Sequence, residues 1–225
     1  MKKIFLLAII LLAFLVYMGC KKDDNNDDGE VKGCNGVTRV YYLEQTYNTV
    51  EIGDQCWLKE NLNIGKMINS YYEMTDDEVI EKYCYDNDPA NCEIYGGLYQ
   101  WNEMMQYTTT QSVQGICPAG WHIPSAKEWK DCFGNNGGGM KETGTDHWYP
   151  PNAYATNSTG FTALPAGLRS IGGNFYNLTF ACSPWSSTEG DLGTAWYWRM
   201  LYNSSQLYHY NCSKNTGFPV RCLKD

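Results

Sequence analysis

Cysteine is the residue type best able to do chemistry in this chain of 225 residues, because its sulfur forms disulfides, binds metals and exchanges electrons. Nine cysteines lie after residue 33, and this odd number requires at least one thiol to stay free or to pair outside the chain. Cys84 and Cys92 are predicted to form a disulfide, because the segment between them is short and rich in turn-forming residues. The remaining seven are Cys34, Cys56, Cys117, Cys132, Cys182, Cys212 and Cys222.

Metal and cofactor sites are not predicted. The sequence has no C-x-x-C pair, and His122, His147 and His209 are not at zinc-ligand spacing from any two cysteines. Residues 86–88, Asp-Asn-Asp, are calcium-ligand types, but Pro89 interrupts the calcium-loop pattern and favours a disulfide-closed turn. The serine-nucleophile, zinc-protease and phosphate-loop motifs are also missing, and Asp146 beside His147 is better explained as part of a surface loop.

Aromatic side chains are the second chemically useful group, since their rings stack on sugars and fill protein interfaces. Residues 194–202 alternate as a strand does, which places Ala195, Tyr197, Arg199 and Leu201 on one face and, on the other, Trp196, Trp198, Met200 and Tyr202. Either the aromatic face is open to a ligand, or both faces are covered as in a central strand. The next segment, residues 202–211, is rich in Tyr, Ser and Asn, a composition typical of binding loops.

Composition and charge limit the classes of protein to which the chain can belong. The chain is 43% hydrophobic, 15% aromatic and 19% charged, which excludes a disordered chain and a coiled coil. Its net charge is −8, and no basic run follows residue 22, so neither a nucleic-acid partner nor binding to an anionic membrane through basic residues is expected.

The first 32 residues predict export and anchoring. Lys2 and Lys3 precede an apolar run at residues 4–16, which is typical of a secretory signal peptide and too short to span a bilayer comfortably. The sequence Y-M-G-C that ends at Cys20 resembles the lipobox of bacterial lipoproteins, and this resemblance implies cleavage after residue 19 and acylation of Cys20. Residues 20–32 contain the polar run K-K-D-D-N-N-D-D-G-E and are predicted to form an acidic, flexible tether.

The acidic pairs of the tether also resemble export signals of surface lipoproteins in Bacteroidetes-type bacteria. This implies an outer-membrane protein that faces outward, with an acidic spacer that faces the periplasm as the alternative.

Short strands separated by glycine turns, with few helices, are predicted to position these side chains. Residues 49–52 and 55–58 flank Gly53-Asp54 and predict a hairpin, and residues 99–107 predict a short helix. Ser125 and Glu128 predict a capping box that starts a helix in which Trp129 and Phe133 are buried. The run F-G-N-N-G-G-G at residues 133–139 is predicted to stop this helix. Residues from 161 onward have β character. Residues 33–225 are therefore predicted to be one α+β domain.

Six sequence blocks resemble the Fibrobacter succinogenes major paralogous domain family: I-G-D-Q-C-W-L-K-E-N-L-N (52–63), Y-G-G-L-Y-Q-W (95–101), C-P-A-G-W-H-I-P-S-A-K-E-W (117–129), A-T-N-S-T-G-F-T-A-L-P-A-G (155–167), W-S-S-T-E (185–189) and G-F-P-V-R-C-L-K-D (217–225). They occur in the family's order. Cys182 and Cys212 depart from the family's pattern, and we consider a disulfide between them. Pro219 also departs from it and predicts an edge or bulged final strand.

The third and last blocks also resemble signatures of the formylglycine-generating enzyme group. That resemblance implies a C-type-lectin-like fold: short twisted antiparallel strands, two or three short helices and long loops, with the N- and C-terminal strands together. The enzymes of that group need a pair of redox-active cysteines, which cannot be placed in this sequence. No enzyme activity is therefore expected.

The function predicted from these features is a surface-anchored, lectin-like binding or adhesion module, with a glycan or a protein as its ligand. The alternatives are an enzyme related to the formylglycine-generating group and a passive structural or assembly subunit. In a lectin-like fold, the acidic loop 189–191 and the segment 202–211 would project from the same end of a sheet. The predicted ligand-binding residues are therefore Glu189, Asp191, Tyr202, Tyr208 and Tyr210, with His209 on the face opposite the last two.

Overall fold

The structure is a computed structural model that describes residues 33–225. The predicted signal peptide (residues 1–19), the lipidation site Cys20 and the tether (residues 20–32) lie outside the described residues. Within the described range, no helix is long and apolar enough to span a bilayer.

The elements of residues 33–225 confirm an α+β protein. In chain order, the strands are β1 (Arg39–Tyr42), β2 (Gln45–Ile52), β3 (Gln55–Leu58), β4 (Lys66–Met67), β5 (Glu81–Lys82), β6 (Trp121–His122), β7 (Ala166–Arg169), β8 (Phe175–Leu178), β9 (Ala181–Cys182), β10 (Trp185–Glu189), β11 (Thr194–Leu201), β12 (Tyr208–Ser213) and β13 (Leu223–Lys224). The helices are α1 (Pro89–Tyr95), α2 (Trp101–Met104), α3 (Ala126–Phe133) and α4 (Gly137–Met140), and a 3-10 turn lies at Tyr85–Asn87.

A five-stranded sheet in the order β1-β2-β3-β13-β6 joins the two ends of the domain. The β2–β3 hairpin is the one predicted, and Gly53 leads its two-residue turn with φ 64°. β2 begins earlier than predicted, at Gln45, because β1 pairs along its first half. The other partner of β3 is β13, through Leu223 opposite Trp57.

The expectation for Pro219 is wrong. The final strand is only Leu223–Lys224, and it is an interior strand between β3 and β6 rather than an edge or bulged strand. Pro219 precedes it and has no N–H to contribute to a ladder. Its carbonyl accepts a hydrogen bond from the N–H of Trp185 at 3.1 Å, which links this segment to β10.

A second antiparallel sheet has the order β10-β11-β12, with β9 also paired to β11. The longest strand of this sheet, β11, pairs with β12 in continuous register from Thr194 opposite Ser213 to Arg199 opposite Tyr208. β9 and β10 occupy the other edge of β11, where Met200 is opposite Cys182 and Tyr197 is opposite Trp185.

The helix α3 starts and ends as predicted. The Ser125 side chain accepts from the N–H of Glu128, the Glu128 side chain accepts from the N–H of Ser125, and the helix ends at Phe133. The glycines beyond it form the further helical turn α4, which was not predicted. Backbone neighbours explain the glycines: a Cβ on Gly137 would lie 2.5 Å from the carbonyl oxygen of Gln206, and a Cβ on Gly138 would collide with that of Tyr154.

Aromatic rings fill the core between β3 and α3. The ring centroids of Trp57 and Trp129 are 4.8 Å apart, and those of Phe133 and Phe161 are 5.1 Å apart in an edge-to-face arrangement. All four side chains are buried. Packing of this kind lets short elements bury large apolar areas, so little regular structure is needed to stabilise the fold.

Three buried cations hold the loops. Lys141, Arg169 and Arg221 are each at most 1% exposed, and each binds backbone carbonyls from segments distant in sequence. The Nζ atom of Lys141 binds the carbonyls of Ala153, Leu201 and Ser204 at 2.8, 2.9 and 3.0 Å; Arg169 binds those of Ser70 and Asn215; and Arg221 binds those of Leu58 and Phe161. We call these residues the carbonyl clamps. Burial lowers the pKa of Lys141 to about 8, which still leaves an ammonium group at neutral pH.

Three disulfides link six of the nine described cysteines: Cys34–Cys56, Cys84–Cys92 and Cys117–Cys222. The second is the pair predicted from its short loop, in which Asp88 caps α1 rather than forming part of a calcium loop. Cys132, Cys182 and Cys212 are free thiols.

A disulfide between Cys182 and Cys212 is contradicted by the structure. Cys182 is opposite Met200, whereas Cys212 is opposite Ala195 on the other edge of β11. Five residues of strand separate the two positions, roughly 16 Å, and a disulfide needs Cα atoms within about 7 Å. For the same reason, these two thiols do not form a redox pair.

Candidate functional site

β11 lies between two cores. Ala195 and Tyr197 pack into the cluster that contains Tyr99 and Phe218, and Trp198 and Met200 pack into the cluster that contains Trp57 and Trp129. This is the arrangement of a central strand covered on both faces, one of the two possibilities for residues 194–202. Trp196 is the exception, because its ring is only half-buried.

The imidazole of His209 completes an aromatic surface with two tryptophans. His209 is opposite Trp198 across the β11–β12 ladder, and its ring lies 5.1 Å from that of Trp198 and 5.4 Å from that of Trp196, centroid to centroid. On the other face of β12, the rings of Tyr208 and Tyr210 stack at 6.2 Å. The predicted alternation of His209 against these tyrosines is therefore confirmed.

The outward side of α3 forms the second wall. Trp129 and Phe133 point into the core, which leaves Lys127 and Lys130, one helical turn apart, on the side that faces the sheet edge. Between α3 and the two strands lies an open groove of about 340 Å³. We call it the aromatic groove; it is lined by Ala126, Lys127, Lys130, Thr188, Trp196, Trp198 and His209.

Hydrogen bonds fix the position of α3 in this wall. The Nε2 atom of His122 lies 3.0 Å from Glu128 Oε1, its Nδ1 atom lies 2.6 Å from Asp225 Oδ1, and Ser112 donates to Glu128 Oε2 at 3.0 Å. Burial opposes the charged form of His122, but the bonds to both carboxylates outweigh burial and raise its pKa. Burial likewise opposes the charge of Glu128, but the bonds to His122 and Ser125 lower its pKa to about 2.

One tryptophan of the groove wall also has a buried hydrogen-bond donor without a partner in residues 33–225. Trp198 is 2% exposed, and its indole N–H is buried without an acceptor among the residues that the structure describes. Thr188, in contrast, is already bonded, because its hydroxyl accepts from the N–H of Ala126 and donates to Gln111. The groove thus combines flat aromatic rings, two ammonium groups and an imidazole, which is a surface able to stack and to hydrogen-bond at once.

The predicted ligand surface is not assembled at one end of the sheet. Glu189 and Asp191 lie before the start of β11, near Ser213, whereas Tyr202 follows its end. The eight residues of β11 separate them by roughly 23 Å. The expectation that both loops project from the same end is wrong, because one precedes and the other follows the same strand.

The individual residues of that predicted surface are placed as follows. Glu189 pairs with Lys214 at 2.5 Å, and Asp191 is exposed in the turn before β11. Tyr202 packs edge-on against the stacked rings of Tyr149 and Phe180. Tyr208 is half-buried and bonded to Ser204, and Tyr210 is 47% exposed.

A second cavity, the polar cleft, has a volume of about 290 Å³ and lies between β2, α1 and the segment after β3. The buried polar side chains of its wall are bonded to other protein groups. Asn61 accepts from Arg221 at 3.0 Å, and Asn63 accepts from Lys82 at 2.6 Å and donates to Glu93 at 3.1 Å. This cavity is therefore part of the framework that holds the loops.

Sequence reasoning found the aromatic strand and missed the groove. Lys127 and Lys130 were not predicted as site residues, because a charged helix face is usually only a solvated one. One signal was available: Lys127 lies in the first turn of α3, where the helix dipole disfavours a cation. No cluster of three or more His, Cys, Asp or Glu side chains suited to a metal occurs within residues 33–225.

Comparison with known proteins gives one match. The family model of the Fibrobacter succinogenes major domain matches residues 50–224 of the chain. No curated protein and no solved structure matches it. The matched region contains both walls of the aromatic groove and leaves β1 and the first half of β2 outside.

Proposed function

We propose, from the premise that this chain belongs to the Fibrobacter succinogenes major domain family, that it is a surface-anchored, lectin-like module that binds or adheres to glycans through the aromatic groove. Family membership assigns no activity by itself. The observation that carries the proposal is the half-buried Trp196 beside His209, with hydrogen-bonding groups along the opposite wall.

A glycan fits this groove better than a protein segment does. Sugar rings present C–H faces that stack on indole, together with hydroxyl groups that need donors and acceptors. A groove of about 340 Å³ lies near the lower end of the usual range for small-molecule sites. It is lined by seven residues, whereas a standard protein interface uses roughly 20–30 residues on each side. A protein partner is the second possible ligand, and the exposed Tyr149–Phe180 pair would be the surface for it.

The test is a glycan-array screen of the purified protein beside a Trp196→Ala variant. Saturable binding by the wild type that is lost in the variant supports the proposal. Binding that the variant retains would place the site elsewhere, and an array without any bound glycan would overturn the proposal. The variant's thermal melting temperature serves as the folding control.

The C-type-lectin-like fold is part of the same proposal. It is supported by the five-stranded sheet in which β3 and β13 meet, by the short helices α1 and α3, and by long loops held by the carbonyl clamps. An experimental structure that superposes on C-type-lectin-like domains over both sheets would establish it. A different strand connectivity would exclude it.

Anchoring of the domain rests on Cys20. We propose that this cysteine is acylated and that residues 20–32 hold the domain at the outer surface of the outer membrane. Cys20→Ala should block processing or release the protein from the membrane fraction. Protease treatment of intact cells then separates an outward-facing domain, which is cleaved, from a periplasmic domain, which is protected.

A further inference from the structure

The charge of the aromatic groove differs from that of the whole chain. The chain has 25 Asp and Glu residues against 17 Lys and Arg, a net charge of −8. The groove is lined by Lys127, Lys130 and His209 and by no carboxylate. We propose that the ligand is an acidic glycan, whose carboxylate or sulfate groups bind these lysines. This inference rests on the proposed function and adds the ligand class to it.

The carboxylates around the groove are bonded to other groups. Glu128 is bonded to His122 and Ser125, and Glu189 is paired with Lys214. Asp131 is paired with Lys127 at 2.5 Å, but both side chains are exposed, and an exposed pair of this kind contributes little to stability. The ammonium group of Lys127 can therefore turn from Asp131 to an anionic ligand without much loss.

The second lysine is held in place from outside the groove. Lys130 Nζ donates to Asn135 Oδ1 at 2.9 Å, and Asn135 carries no charge that would compete with an anionic ligand. Lys127 and Lys130 lie on one side of α3, about one helical turn apart, so a glycan with charges on successive sugars can reach both. The aromatic wall opposite would stack on the faces of the same sugars.

The exposed imidazole of His209 favours an acceptor-rich ligand. Its ring lies beside those of Trp196 and Trp198, so its N–H can donate to an oxygen of a sugar that stacks there. Acidic sugars supply more acceptor oxygens per ring than neutral ones, and the lysines add the charge attraction.

Calorimetric titration of the full chain with two acidic glycans and their neutral counterparts tests this inference. The probes are oligogalacturonate beside neutral galacto-oligosaccharide, and chondroitin sulfate beside desulfated, carboxyl-reduced chondroitin. We expect at least one acidic glycan to bind at least tenfold more tightly than its counterpart, and its affinity to fall as salt is raised. The double variant Lys127→Gln/Lys130→Gln should abolish that preference, so that an acidic glycan and its neutral counterpart bind the variant with similar affinity.

The matched control is Lys66→Gln/Lys224→Gln, which removes the same charge away from the groove. If neutral glycans bind as tightly as acidic ones, or if the control loses as much affinity as the groove variant, the inference fails. In that case, weaker binding of neutral glycans by the Trp196→Ala variant would still support the proposed function. Lysine-dependent binding to anionic phospholipid vesicles, with no binding to either acidic glycan, would overturn the inference in favour of a lipid headgroup.

Discussion

The polar cleft and the aromatic groove have similar volumes, about 290 and about 340 Å³, but they differ in which of their side chains already have partners. In the cleft, Asn61, Asn63 and Arg221 are bonded to one another or to nearby protein groups. In the groove, the ring of Trp196 is half-buried and that of His209 is exposed, so both are open to a ligand. The comparison teaches that a cavity indicates a binding site by the interactions it leaves unused rather than by its size.

The largest effect is expected on stability, from a substitution of Arg221 in the wall of the polar cleft. Arg221→Met should lower the free energy of unfolding by about 3–5 kcal/mol, because it leaves buried carbonyls and the Asn61 oxygen without their donor. Urea unfolding measures this. Arg39→Met, which changes an exposed arginine of β1, should stay within about 0.5 kcal/mol of the wild type. Similar small effects of both changes would mean that the cleft is not part of the framework.

The next effect is expected in the groove and should appear in binding rather than in stability. Trp196→Ala should weaken glycan binding by about 2 kcal/mol, on the order of 30-fold, because it removes the exposed stacking surface. Titration against whichever glycan the array identifies gives the value. Trp198→Ala is unsuitable, because Trp198 is a core residue. A Trp196→Ala variant that melts well below the wild type would show that its ring is structural as well.

Loss of the N-terminal cap of α3 should have a smaller effect, and this effect should appear in the stability of the protein. Ser125→Ala and Glu128→Ala should each destabilise the protein by about 0.5–2 kcal/mol, with Glu128→Ala at the upper end because Glu128 also bonds His122 and Ser112. Trp129→Ala is the reference for a buried wall residue and should cost about 3–5 kcal/mol. Equal losses in all three variants would contradict the helix as described.

Lowering the pH tests how the charge of Glu128 contributes to the stability of α3. The pKa of Glu128 is lowered from 4.5 to about 2 in the folded state, so its contribution to stability is complete above pH 4.5 and is lost as the pH falls through 2. The difference in unfolding free energy between wild type and Glu128→Ala should therefore shrink between pH 4.5 and pH 2. A constant difference over that range would mean that the carboxylate charge is not what stabilises α3.

The smallest effect is expected on the opposite face of β12. If the groove is the ligand site, Tyr208→Ala and Tyr210→Ala should change glycan affinity by less than about twofold, because their rings face away from His209. A loss of tenfold or more without unfolding would instead support the tyrosine surface predicted from the sequence. The same titration decides between the two faces of one strand.

Elements whose signals are local could be predicted from the sequence. The hairpin at Gly53, the capping box at Ser125 and the Cys84–Cys92 disulfide depend on residues close together in the chain, and the structure contains all three. The α+β class and the family also followed from local blocks. The helical turn α4 did not, since its glycines are explained only by the distant backbone of Gln206 and Tyr154.

The candidate site depended on packing between distant segments, which the sequence pattern did not contain. The aromatic strand β11 was identified from the sequence. Helix α3, some 70 residues earlier in the chain, packs beside its aromatic face, on which Trp198 is buried and Trp196 is half-buried. The prediction that the loops 189–191 and 202–211 lie together was wrong for a related reason. The alternation of residues in β11 shows which side chains share a face, but it does not show at which end of the strand each flanking loop lies.

The Cys34–Cys56 disulfide has a mechanical consequence. Tension that reaches the domain through the chain before Cys34 enters at that residue, and the covalent bond carries it directly to β3 in the middle of the five-stranded sheet. The β1–β2 hairpin lies within the closed loop and carries no load while the bond is oxidised. A pull on that end of the domain would therefore act on an interior strand, whose ladders rupture together, and the hairpin could not be peeled away strand by strand.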